Sequence, residues 1–178
     1  MAPADPRCSD GDPGERDDLD GAMTRYAANT SVSSAKSKAE IEAIVERYGA
    51  AQFISGWDAT RAVIGFTMEG RQVRFTLEMP DKADRAFTHH SKGMRTPEAA
   101  LAQWEQSCRQ KWRALLLVIK AKLEAVESGI SVFEEEFLAN IVMPDKRTVA
   151  EHIRPSIAIA YETGSMPPML PDYSGGRS

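Results

Sequence analysis

The sequence predicts an α+β fold: one helix, a three-stranded antiparallel sheet, a long amphipathic helix and two short helices. Three observations carry this. The run RAVIGFTMEGRQVRFTLEM (61–79) alternates apolar and polar residues on either side of Glu69-Gly70, the pattern of a tight β-hairpin. Residues 97–128 repeat their apolar positions by threes and fours, the period of one helix face. The strand patterns come together and most helical patterns follow them, so a sheet covered by helices is expected rather than alternating βαβ units.

Taken in order, residues 1–22 hold seven Asp/Glu, two Arg and a single large apolar residue, Leu19. They bury too little to offset ordering entropy, and a disordered acidic tail is expected. From Met23, MTRYAANTSVS reads as a natural beginning, so the domain is placed at 23–171, with 172–178 a flexible tail. Ser34 to Tyr48 predicts a helix with Ile41, Ile44, Val45 and Tyr48 on one face and Gly49 as its stop. Strands are predicted at 51–57, 61–68 and 71–79. A two-residue turn sets the hairpin register: Phe66 opposite Val73, Ile64 opposite Phe75, Ala62 opposite Leu77. A slip by one residue would scatter these apolar pairs over both faces.

Pro80 to Arg95 reads as a long basic connection, which in a compact domain is functional or disordered. Thr96-Pro97-Glu98 supplies an N-cap, a first-turn proline and a dipole-compatible acid for the long helix, about 48 Å over 97–128. Its stripe runs Leu101, Trp104, Cys108, Trp112, Leu115, Ile119, Leu123, Val126, and Gly129 ends it. Both tryptophans are expected in the core. Ser131-Val132-Phe133-Glu134 and Thr148-Val149-Ala150-Glu151 have capping-box form and predict helices at about 132–140 and 149–163, the second kinked or delayed by Pro155. Met166, Met169 and Leu170 are expected to pack back onto the body.

The net charge of −4 conceals an uneven distribution. Residues 1–22 sum to −5, residues 61–122 to +6 (twelve Lys/Arg against six Asp/Glu) and residues 123–178 to −5. No apolar run approaches the roughly 20 residues of a bilayer span, and no signal-peptide pattern is present, so a protein of the cytoplasm, with no membrane association, is expected. Cys8 and Cys108 form no metal or disulfide pattern.

RYAANTSVSSAKSKAEIEAIVERYGA, WRALLLVIKAKLEAVESGI and FEEEFLANIVMPD resemble a family of small uncharacterised proteins of tailed phages and prophages, across residues 23–171. The resemblance implies a bacterial-host setting and no site residues. The β-β-β-α order is also similar to the core of single-strand annealing recombinases, a likeness of topology alone.

Polyanion binding needs Lys and Arg placed to meet phosphates. On the long helix Arg109, Arg113 and Lys120 fall in one row beside the apolar stripe. The strands contribute Arg61, Arg71 and Arg74, and the 80–95 connection Lys82, Arg85, Lys92 and Arg95. Each alone reads as a solvated edge, with pairs such as Lys120–Glu124. Together they suggest DNA or RNA binding. His89-His90 lacks the further ligands a zinc site needs, Glu134-Glu135-Glu136 suits a helix start, and no nucleotide-loop, metalloprotease or nucleophile-elbow motif is present. No metal, cofactor or catalytic residue is expected. The function expected is that of a non-enzymatic accessory nucleic-acid-binding protein of low sequence specificity. The alternative is an assembly module whose long helix serves a partner or a second copy as a homo-oligomer.

Overall fold

The computed structural model describes residues 31–170. The acidic tail 1–22, Met23, Cys8 and the tail 172–178 lie outside those residues. The order is helix α1 (Ser34–Arg47), strands β1 (Gln52–Trp57), β2 (Arg61–Met68) and β3 (Arg71–Glu78), helix α2 (Arg85–Thr88), strands β4 (His89–His90) and β5 (Gly93–Met94), helices α3 (Pro97–Glu127) and α4 (Phe133–Phe137), a 3-10 turn Leu138–Asn140, and helix α5 (Val149–Thr163). The fold is α+β, as expected. No helix among the described residues is long and apolar enough to cross a membrane.

The sheet runs β1-β2-β3, antiparallel throughout. Its hairpin has the anticipated register, from Met68↔Arg71 to Arg61↔Glu78. Glu69 and Gly70 both take positive φ (49° and 73°), as the primed turn joining twisted strands requires. Ala62, Ile64, Phe66, Met68, Val73 and Phe75 line the inner face. Onto it pack Ile41 and Val45 of α1, Trp112, Leu115, Leu116, Ile119 and Leu123 of α3, and Phe133 and Phe137 of α4. Phe137 meets Phe66 and Phe75 edge-on at 5.8 and 6.3 Å and lies 4.8 Å from Phe133.

Five local expectations are corrected. The 80–95 connection is structured: Asp84 caps α2, β4 and β5 form a two-stranded hairpin, and Arg95 donates to the carbonyls of Ala86, Phe87 and His89. Ser131 does not cap α4. Its N–H is held by the Ala125 carbonyl, which also accepts from Ile130 in the Schellman ending of α3 around Gly129. The helix begins one residue later, without a side-chain cap, and passes into the 3-10 turn after Phe137. Pro155 neither delays nor breaks α5. The Glu151 carbonyl, which loses its helical donor to the proline ring, accepts from the Arg147 guanidinium at 2.6 Å. Thr148 and Glu151 do form the second capping box. Lys120 makes no pair with Glu124, which instead accepts from the Tyr48 hydroxyl at 3.0 Å. Of the C-terminal apolar residues only Met169 is half-buried, Met166 and Leu170 being exposed.

The two sheet edges differ. On β3 the outward carbonyls of Gln72, Arg74 and Glu78 accept from the Val142 N–H, the Asn140 amide and the Lys111 ammonium. On β1 no strand or donor covers the outer edge among the described residues.

Candidate functional site

The end of the sheet away from the Glu69-Gly70 turn opens into a cleft of about 800 Å³. Four chain segments build it. Ser33 and Lys38 come from the start of α1, Trp57 to Thr60 from the β1–β2 turn, Met79 to Lys82 from the segment leaving β3, and Trp104, Cys108, Arg109 and Trp112 from α3. The turn is shaped by Asp58, whose Oδ1 accepts from the Thr60 N–H (2.7 Å), the Thr60 hydroxyl (2.9 Å) and the Arg61 N–H (2.8 Å). Those bonds, led by the Thr60 N–H, hold the Asp58 carboxyl below its ordinary pKa.

All three tryptophans of the chain line this cleft. Trp112 is buried and forms floor. Trp57 is 78% exposed. Trp104 is half-buried rather than core, its indole N–H donating to the Pro80 carbonyl at 2.7 Å. The Lys82 ammonium stands 4.2 Å from the centre of the Trp104 ring, and that of Lys38 stands 4.6 Å from Trp112. Neither lysine has an ion pair among the described residues. The acids nearby are engaged: Asp58 in the turn, Asp81 with the Ala83 N–H (2.9 Å), Glu105 with Arg109 (3.7 Å). Cys108 is buried, which pushes its thiol pKa up and leaves it an apolar wall group.

The ten basic residues singled out from the sequence are dispersed. Lys82 and Arg109 line the cleft, and Arg61 lies in its turn, 3.6 Å from Asp58. Arg74 projects from the outer sheet face, donating to Glu151 (2.7 Å) and the Lys146 carbonyl (2.9 Å). Arg71 sits at the opposite end of the sheet, 3.9 Å from Glu134. Arg113 is bonded to Glu40 of α1 at 2.9 Å, and Arg109 donates to Gln106. Arg95 is spent on backbone carbonyls. Arg85, Lys92 and Lys120 are exposed, without ion pairs among the described residues. Arg61 and Arg109 therefore both lie at the cleft, whereas Arg71 and Arg74 are turned elsewhere.

Lys38, Trp57 and Trp104 were missed as site residues. Their signal lay in the number of tryptophans, but no local motif connects positions 38, 57 and 104. His89 and His90 bond locally, to the Thr88 hydroxyl and the Lys92 N–H. Glu134 and Glu136 are turned to Arg71 and Lys122. Among the described residues no group of three potential metal ligands forms. No protein-family model, curated protein or solved structure matches the chain.

Proposed function

We propose that this chain binds single-stranded nucleic acid, DNA or RNA, with little sequence preference and without catalysing a reaction. The cleft holds a base against tryptophan while Lys38, Lys82 and Arg109 meet phosphates. The observation that carries this reading is the convergence of three tryptophans with two ammonium groups that no carboxylate among the described residues engages. Flat apolar faces beside cations suit a planar base on a phosphate backbone, and stacking is indifferent to which base is offered. The resemblance to phage and prophage proteins supports an accessory role in nucleic-acid metabolism or recombination within a bacterial cytoplasm.

The test is fluorescence anisotropy of the full chain, and of a chain lacking residues 1–22, with labelled single- and double-stranded oligonucleotides at two salt concentrations. Two to three phosphate contacts give a log–log salt slope of about −1.4 to −2.1 for a single strand. Trp57→Ala weakens binding by about five- to 150-fold, the value of one base stack. Absence of binding at low salt by both chains, or binding indifferent to Trp57→Ala and Lys82→Ala, overturns the proposal.

The assembly reading is favoured by a separate observation. The second half of α5 carries Ile157, Ile159 and Tyr161 exposed. The stripe of α3, by contrast, is buried from Cys108 to Leu123, leaving only Leu101 open at its start.

A further inference from the structure

The geometry points to β1 as a homodimerisation strand: two copies pair antiparallel about a two-fold axis through Ser55, joining their sheets into one of six strands. Asp58 and Arg61 bond across the β1–β2 turn, and by antiparallel alternation positions 52, 54 and 56 turn their peptide groups toward β2. Phe53, Ser55 and Trp57 therefore aim their N–H and C=O groups at the outer edge. Among the described residues nothing receives them, whereas three of the corresponding carbonyls on β3 are sealed by Val142, Asn140 and Lys111. Proteins blunt bare edges with charge, proline or a covering segment. The strand QFISGW holds neither a charged residue nor a proline.

The occupant is a second copy because the strand complements itself. With Ser55 opposite Ser55 of the other copy, Phe53 falls opposite Trp57 on both sides of the axis. The three pairs exchange two backbone bonds each. Phe53, Ser55 and Trp57 lie over Phe66, Ile64 and Ala62, on the inner face, so each end of the pairing gains an aromatic cross-strand pair. That pairing would set the partner's Phe53 beside one edge of the Trp57 indole, 78% exposed at the strand end. Continued outward to the β1–β2 turn, the same register sets Asp58 opposite Gln52, so no like charges meet. The two clefts then open on the same side of the joined sheet. The inference does not depend on what the cleft binds.

Sedimentation equilibrium of the full chain from about 1 to 300 µM, spanning the micromolar range of weak specific association, should show a monomer–dimer equilibrium. Ser55→Pro removes two of the six bonds while its missing N–H faces outward, where an edge strand tolerates it. It raises the dissociation constant by about thirtyfold or more. Ser55→Lys sets two ammonium groups on the axis and acts in the same direction. Circular dichroism checks that each variant is folded. Ser55→Cys, in a Cys8→Ser background, gives a covalent dimer on mild oxidation, since directly opposed residues of this type lie about 5.5 Å apart at Cα. A wild-type chain monomeric throughout, a dimer indifferent to both Pro and Lys, or failure of the cysteine variant to cross-link overturns the inference.

Discussion

Replacing Phe137 by alanine tests the packing argument most directly. The ring is fully buried and touches three others, from β2, β3 and α4, at 5.8, 6.3 and 4.8 Å. Burying a phenylalanine is worth about 2–3 kcal/mol of transfer free energy. The truncation also leaves a void of roughly 100 Å³, which at about 24 cal/mol per Å³ adds about 2 kcal/mol if the walls hold still. They are held, because Phe66 lies on the central strand β2 and Phe75 on β3, which is paired to β2 along its whole length. The expected loss is therefore about 4–5 kcal/mol, at the upper end for such substitutions. Urea unfolding followed by circular dichroism measures it, with Phe133→Ala as the comparison. Among the described residues Phe133 has a single ring partner, Phe137, so its loss should be smaller. A loss below about 2 kcal/mol at Phe137 with an unchanged denaturant slope would refute the claim that this ring joins sheet and helices.

Three further outcomes are expected. Arg74→Met should leave oligonucleotide affinity unchanged and speed hydrogen exchange across 149–163, because Arg74 ties α5 to the sheet; the opposite pattern would return it to the phosphate contacts. Glu151 is held below its ordinary 4.5, first by the Thr148 N–H, with Arg74 assisting against the upward push of burial. A lowered folded pKa means stability that is present above that ordinary value and lost as pH falls through the folded one, so urea midpoints should drop below pH 4.5 and drop less in Glu151→Gln. Gly65→Ala would place a Cβ 2.8 Å from Ile54 Cγ1, pushing that side chain off its rotamer, and thermal melting should show a loss of about 1 kcal/mol.

The hairpin was legible because the Glu69-Gly70 turn and period-two alternation admit one register, and α3 because its cap, proline and stripe agree. The β4–β5 pair was not: two-residue strands have no period to read. Ser131 misled because a capping sequence says nothing about a preceding helix that already holds its N–H. The cleft was least legible. Trp104 shares a helical stripe with Trp112, yet one is core and the other wall, and the difference is set by where the segment after β3 crosses α3. Counting charge likewise overlooked that Arg74 and Arg113 find carboxylates 77 and 73 residues away in sequence.

The placement of Phe137 also bears on synthesis. The chain emerges amino end first, so α1 and all three strands are made before the segments that complete their cover. Phe75 precedes Phe137 by 62 residues (137 − 75), which at about 5–20 residues per second is roughly 3–12 s of translation. Until α3 (Pro97–Glu127) is made within that interval, Ile64, Phe66, Val73 and Phe75 have only α1 to lie against. A nascent chain stalled before residue 97 presents the ribosome surface and its attendant chaperones with half a core, and release from them waits on the arrival of α3 and the two phenylalanines of α4.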